Sequence, residues 1–413
     1  MPGITRTELN FSSNSRHDVH VNRFLLIIIL LLVYTLSVHA DDERIWYDAK
    51  INGKPVRLIL DTGAGPVATN VPFPVVLFST AVKRLGLKFT PSDLNDYPNP
   101  GTTSLGTTEV CDLDLWGTHL RTSLGVLEAP EFLQWSADGI LGWLTIRQDI
   151  LSLDLTKDTV TQLDHVPKEA IKWAAFRVQT NSNILGFEVS DQNGSNSVVI
   201  VDTGNDGGIS LCPLKWREWK ATHTNRPTTL DARYMPGTGL VVREESWARE
   251  ISLGSLALTD APIIEANQTE AAMDPQFEAS LGLAALKRLD MVIDGKQGIV
   301  YVRPKTTPPL SYQHNRLGAV FVPHDLQSDD LIAHVVDGSP AYEAGIRNGD
   351  ILLKEGERDV TNWRDPSVKI NTPFREQPAG TKLELTLKRG DKIFKTTAVL
   401  RNILPPDSPK KAN

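Results

Sequence analysis

The tripeptide Asp-Thr-Gly occurs twice in this chain, in Leu58-Ile59-Leu60-Asp61-Thr62-Gly63 and in Val199-Ile200-Val201-Asp202-Thr203-Gly204, and the same landmarks surround each copy. Each aspartate closes a run of branched apolar residues, the mark of a buried strand. Nine residues before each stands Asn-Gly, at Asn52-Gly53 and Asn193-Gly194, a strong hairpin signal, so each aspartate is expected to end the second strand of a hairpin. Gly142, in Ile140-Leu141-Gly142, follows Asp61 by 81 residues, and Gly282, in Ser280-Leu281-Gly282, follows Asp202 by 80. Twelve residues further on come Asp154 and Asp294, each inside another hairpin pattern: 151–155 returning as 160–163, and 291–294 returning as 299–302. Four landmarks in one order and nearly one spacing predict a duplicated all-β lobe, lobe 1 over 41–165 and lobe 2 over 170–303.

Between the landmarks each lobe carries a helical segment, Phe78 to Leu85 and Pro213 to Lys220, followed by a glycine-rich hairpin. The hairpin tips are expected near Gly101-Thr102-Thr103-Ser104-Leu105-Gly106 and Met235-Pro236-Gly237-Thr238-Gly239. Trp216 and Trp219, three apart on the second helix, are read as packing onto the sheet.

Composition narrows the chemistry. The 413 residues are 40% hydrophobic and 23% charged, which suits a packed chain, and a net charge of −7 offers no general excess of cations for nucleic-acid phosphates. Cys111 and Cys212 are the two cysteines. They exclude a disulfide framework and a Cys-rich zinc site, and either form one bridge or pack as small apolar side chains. The nine histidines are scattered, with no zinc-binding pair, no serine-nucleophile elbow and no phosphate loop. No metal and no organic cofactor is expected.

At the N-terminus, Phe24 to Val33 is an unbroken apolar run preceded by Arg16 and Arg23, and Val38 and Ala40 stand at the spacing of a signal-cleavage site. Residues 1–40 read as a secretory signal, or as an N-terminal membrane anchor if uncleaved. The mature chain is then expected outside the cytoplasm: periplasmic, envelope-associated or secreted.

Amide hydrolysis without metal, serine or cysteine can run on two carboxylates sharing one proton, one taking a proton from water while the other donates to the carbonyl oxygen. Such a pair titrates as a unit, because like charges at hydrogen-bonding distance cannot both ionise comfortably. Two lobes related by a pseudo-two-fold axis can bring equivalent turns together at the axis. Gly63 and Gly204 permit the sharp turns, and the hydroxyls of Thr62 and Thr203 can bond across the axis.

Apolar-apolar-Asp-Thr-Gly followed later by an apolar-Gly turn, present twice over about residues 45–303, resembles the aspartic proteases of the retropepsin-like kind. The resemblance implies duplicated acid-protease β-barrel lobes in a mainly β chain, with Asp61 and Asp202 as the catalytic dyad. It implies that Gly142 and Gly282 pack beneath the aspartate loops and that the glycine-rich hairpins close over substrate. The family often places Ser or Thr after Asp-Thr-Gly, where this chain has Ala64 and Asn205. Asp206 beside Asn205 either raises the pKa of the dyad or lies harmlessly at the surface. Ser280 also stands where a branched apolar residue is usual, so lobe 2 is the more divergent.

A proline-rich linker, 304–313, leads to a unit at 314–401. Gly338-Ser339-Pro340-Ala341, Ala344-Gly345-Ile346 and Gly349-Asp350-Ile351-Leu352 resemble a PDZ domain, with Gly380, Leu383 to Leu387 and Lys388-Arg389-Gly390 fitting its last hairpin. The resemblance implies that an extended peptide adds to a sheet edge with its terminal carboxylate on backbone amides. The segment assigned to that loop is Arg316-Leu317-Gly318-Ala319-Val320, with Leu317, Gly318, Ala319 and Val320 as its binding residues. Residues 402–413 are expected to be an unstructured tail.

The expected whole is an exported, monomeric aspartic endopeptidase acting on polypeptide substrates, with a PDZ domain for peptide or protein C-termini. No nucleic-acid partner is expected, and a membrane only if the N-terminal segment is retained. The alternative is a non-catalytic envelope protein whose degenerate protease fold holds peptides without cutting them.

Overall fold

The computed structural model describes residues 44–63, 75–91, 103–115, 118–128, 137–179, 182–190, 194–235, 239–266, 276–306, 312–324, 328–364 and 377–404. The expected signal, Ala64, Asn193 and the centre of the lobe 2 hairpin tip lie outside them. The chain is mainly β, arranged in several sheets.

The first hairpin joins Trp46–Ile51 to Lys54–Asp61 through Asn52 and Gly53, both at positive φ (49° and 75°), the backbone that makes Asn-Gly a tight hairpin turn. Tyr47, Ala49 and Ile51 face the core in strict alternation. The strand Lys54–Asp61 then runs parallel to Gly139–Gly142, which sets Gly142 directly beside Asp61. Gly139–Gly142 is antiparallel to Val75–Phe78, itself parallel to Gly125–Glu128. Lobe 2 follows the same order of pairings. Asn196–Val201 runs parallel to Phe277–Leu281, which is antiparallel to Ile209–Leu211, itself parallel to Leu256–Glu265.

Short helices follow at Ser79–Leu85 and Pro213–Thr222. Phe78 ends a strand rather than opening the first helix, and the second runs two residues past its expected end. Trp216 and Trp219 are buried in the main core and stack on each other at 5.8 Å.

A five-stranded sheet joins the lobes, in the order Thr159–Leu163, Ile150–Asp154, Leu289–Asp294, Ile299–Pro304, Ala174–Arg177. Its central seam pairs lobe 1 with lobe 2, Ile150 opposite Asp294 and Leu153 opposite Met291. Leu151, Leu153, Met291 and Ile293 belong to the same buried cluster as Leu58, Leu60, Val199 and Val201. One apolar core therefore runs beneath both Asp-Thr-Gly turns, and burying each such side chain contributes about 1.5–3 kcal/mol.

Three expectations need correcting. Thr103–Thr108 is a strand paired with both Phe89–Pro91 and Gly125–Glu128, so residues 103–106 belong to the returning strand and not to the hairpin tip. Residues 402–404 are packed, with Leu404 fully buried and the amides of Ile403 and Leu404 donating to His314 Nε2 at 3.2 and 2.9 Å. The end of the linker is held as well, since the Tyr312 hydroxyl bonds Glu245 and its ring lies 6.2 Å from that of Trp247. Cys111 and Cys212 are both free thiols, and burial pushes the Cys111 pKa up.

The C-terminal unit is a sheet in the order Ala319–Pro323, Leu331–Val335, Ile351–Glu355, Lys382–Arg389, Lys392–Val399, with a one-turn helix at Pro340–Glu343. Ser339 caps that helix by accepting the Tyr342 amide at 3.2 Å. Asp350 is almost wholly buried and takes a two-pronged bond from Arg389, 2.6 Å from Nε and 2.7 Å from Nη2. Arg389→Ala leaves that carboxylate without its cation. Breaking a buried pair costs about 3–5 kcal/mol; half-exposure of Arg389 places the expected loss toward the lower figure, read as a drop in the denaturation midpoint.

Candidate active site

Each Asp-Thr-Gly turn begins where a core strand ends, so its backbone leaves the sheet beside the turn from the other lobe. The threonines lock the two together. Thr62 N donates to Thr203 Oγ1 at 3.0 Å, and Thr203 N donates to Thr62 Oγ1 at 3.2 Å. The hydroxyls in turn donate across the axis, Thr62 Oγ1 to the Val201 carbonyl at 2.6 Å and Thr203 Oγ1 to the Leu60 carbonyl at 2.7 Å. Both side chains are buried, where an unmade hydrogen bond is costly. Thr203→Val leaves the Leu60 carbonyl and the Thr62 amide unpaired. A loss of about 1–3 kcal/mol per group is expected from equilibrium unfolding.

The aspartates share the same reciprocity. Asp61 Oδ1 accepts the Gly63 amide at 3.0 Å, and Asp202 Oδ1 accepts the Gly204 amide at 3.1 Å. Each carboxylate also rests on the opposite glycine. A Cβ at Gly204 would stand 2.2 Å from Asp61 Cγ, and one at Gly63 would stand 2.5 Å from Asp202 Cγ. Only glycine allows this approach, and it sets both carboxylates on one floor. Both aspartates are half-buried.

Further contacts hold the floor from outside. Leu185 N donates to the Thr62 carbonyl at 2.9 Å, and Arg44 Nη1 to the Gly204 carbonyl at 3.2 Å. Gly282 packs against the loop at 205–208, a Cβ there falling 2.5 Å from the Gly207 carbonyl oxygen. The amides of Gly282, Leu283 and Ala284 donate to the carbonyls of Gly208, Asn205 and Gly207 at 2.9, 2.7 and 2.9 Å. Gly142 stands opposite Asp61 in its strand pairing.

The departures in lobe 2 also have a structural account. Asn205 Oδ1 accepts the Gly207 amide at 2.9 Å and Arg233 Nη1 at 2.8 Å, so this side chain braces its own loop. Asp206 is paired with Arg233. Ser280 faces Ile200 and Ser210 across two strand pairings, whereas its counterpart Ile140 faces Ile59 and Val76. The Ser210 and Ser280 hydroxyls are buried without hydrogen-bond partners.

The assigned carboxylate loop of the C-terminal unit is not an open cradle. Asn315 Oδ1 accepts the amides of Leu317 and Gly318 at 3.0 and 3.2 Å, and Leu317 and Ala319 are fully buried. Asn315 Nδ2 donates to the Leu230 carbonyl of lobe 2 at 3.0 Å, and Thr229 Oγ1 donates to the Asn315 carbonyl at 2.6 Å. Gly318, at φ 68°, packs against Ser339, and Val320 is half-buried.

Sequence reasoning missed Arg44, Arg233 and Asn315. Arg44 and Arg233 reach segments distant in sequence, which no local pattern marks, whereas Asn315 also makes a local turn with Leu317 and Gly318 that its residue type could have suggested. Among the described residues no group of three or more His, Cys, Asp or Glu side chains could hold a metal ion, and no helix is long and apolar enough to cross a membrane.

No known protein family matches the chain, and no curated protein does. Among solved structures it is similar to the EIAV protease complexed with the inhibitor HBY-793, at 20% identity and a TM-score of 0.19, over 27% of this chain and 91% of that one. It is also similar to the retroviral protease-like domain of Ddi1 from Leishmania major, at 15% identity and a TM-score of 0.22, over 30% of this chain and 95% of that one.

Proposed function

We propose that this chain is an exported aspartic endopeptidase whose two lobes arose by duplication. The observation that carries the reading is the reciprocal seating of each carboxylate on the opposite glycine, Asp61 on Gly204 and Asp202 on Gly63. With the carboxylates sharing one proton, the ionised member takes a proton from a water between them, and that water attacks the peptide carbonyl carbon. The protonated member gives its proton to the carbonyl oxygen. The carboxyl that took the water's proton then gives it to the leaving nitrogen while one hydroxyl of the tetrahedral diol returns its proton to the other carboxylate, which breaks the C–N bond and leaves the pair sharing one proton again. The threonine bonds and the glycine contacts hold both carboxylates in place before substrate arrives, which lowers the cost of reaching the attack geometry.

The C-terminal unit is proposed to be PDZ-like, with the strand Ala319–Pro323 at the end of its sheet as the place where a peptide strand would add. A terminal carboxylate there competes with the Asn315 side chain for the amides of Leu317 and Gly318. Export rests on the pattern in residues 1–40, and N-terminal sequencing of the mature protein tests it, Asp41 being the expected first residue. Turnover of an unfolded polypeptide by the purified chain tests the peptidase reading. Saturable binding of the same polypeptide with no cleavage from pH 3 to 8 would overturn it.

A further inference from the structure

We propose that Arg233 is a positioning residue for Asp202, tying the hairpin of lobe 2 to the loop that carries this carboxylate. The inference rests on the peptidase reading above. Arg233 lies on the strand Thr228–Met235, which pairs along its length with Gly239–Leu253. Its guanidinium reaches two segments at once. Nε donates to Asp231 Oδ2 at 2.6 Å on its own strand, while Nη1 donates to Asn205 Oδ1 at 2.8 Å and pairs with Asp206 on the loop.

The loop is built to receive it. A Cβ at Gly207 would stand 3.3 Å from Arg233 Nη2 and 3.0 Å from Asn205 Oδ1, so the backbone lies close against the fork. On the other side the carbonyls of Asn205, Gly207 and Gly208 are taken by the Gly282 turn. Residues 205–208 are thus clamped between a main-chain turn and one side chain. Asp202 is part of the same rigid piece, because its carbonyl accepts the Asn205 amide at 3.3 Å.

The charges favour the clamp. Asp206 and Asp231 hold the Arg233 pKa well above the ordinary arginine range against the effect of burial, with Tyr312 adding to the pull, and Arg243 approaches Asp231 at 3.6 Å. Without Arg233 the Asp206 carboxylate loses this cation, and the loop loses its contact with the hairpin. A planar fork with donors on several nitrogens serves three acceptors where an ammonium cannot. A misplacement of about 1 Å at a reacting group can cost a hundredfold in rate.

The test compares kcat and KM for the full chain, Arg233→Met, Arg233→Lys and the double variant Arg233→Met with Asp206→Asn, each normalised to the folded fraction from near-UV circular dichroism. The expected result is a kcat about 10–100-fold lower in Arg233→Met. Partial recovery is expected in Arg233→Lys, and none in the double variant, which balances the charge but still lacks the tie between hairpin and loop. Wild-type kcat in Arg233→Met, or a loss wholly explained by unfolded protein, would overturn the inference while leaving the peptidase reading intact. Full recovery in the double variant would overturn the positioning role, because an uncompensated Asp206 charge would then account for the whole loss. No turnover by the wild type would overturn both readings.

Discussion

Asp61→Asn and Asp202→Asn are each expected to abolish peptide-bond cleavage while leaving the chain folded. The amide oxygen of asparagine can still accept the glycine amide two residues on, the contact now made by Asp61 with Gly63 and by Asp202 with Gly204. The turn and the interlobe threonine bonds therefore persist, and unfolding midpoints should match the wild type. The chemistry does not persist, since neither variant retains two groups able to share and pass a proton. General acid–base transfer contributes about 10²–10⁴-fold to a rate, and loss of at least that size is expected in each variant. Equal loss in both matters most. An active site built from two copies of lobe 1 in separate chains would be untouched by Asp202→Asn.

Gly204→Ala is expected to cost both stability and activity, because the new methyl falls on the Asp61 carboxylate. The new Cβ would stand 2.2 Å from Asp61 Cγ and 2.3 Å from its Oδ2, against a carboxylate already tied to Gly63. Overpacking of a filled site costs about 1–3 kcal/mol and sometimes more. Relief would come by pushing the two turns apart, which separates the carboxylates and strains the buried threonine bonds. At least a hundredfold loss of activity is expected in the fraction that folds. Gly186→Ala is the comparison, because its nearest neighbours are the ends of the Gln179 and Val198 side chains at 3.1 Å, and a small effect is expected there. Stability and activity measured on both variants check the argument, and similar losses in the two would contradict it.

The hairpins and strands that lead into the two Asp-Thr-Gly turns were legible in the sequence wherever local backbone chemistry dictates structure. Asn52-Gly53 makes a hairpin by itself, and the apolar runs before Asp61 and Asp202 can only be buried strands. Glycines at 63, 204 and 282 mark close backbone approaches whose partners lie far away in sequence. What remained hidden depends on such partners. Pairing of the 150–154 hairpin with the 289–294 hairpin joins the lobes, yet neither segment carries a sign of the other. Thr103 to Gly106 has turn-like composition and is nonetheless a strand, because Phe89–Pro91 and Gly125–Glu128 flank it and supply its hydrogen bonds. The tail at 402–413 reads as polar and proline-rich, but one buried histidine, His314, holds Ile403 and Leu404 near its start in place.

The same distinction runs through the site. Asn205 reads as a departure of lobe 2 and Asp206 as a charge that either raises the pKa of the dyad or lies at the surface, and the guanidinium of Arg233, 27 residues beyond Asp206, engages both. Asn315 stands just outside the loop assigned to a terminal carboxylate, and its side chain occupies two of the amides that loop would offer. Ser280 keeps its unusual character, since its hydroxyl is buried beside Ser210 with no partner for either.

The most direct test of the central claim is cleavage of a denatured protein by the full chain between pH 3 and 8, with Asp61→Asn and Asp202→Asn assayed beside it at equal folded concentration. Turnover by the wild type and none by either variant is the predicted result. Wild-type activity retained in Asp202→Asn, or no turnover by any of the three at any pH, would contradict a single-chain pair of catalytic aspartates.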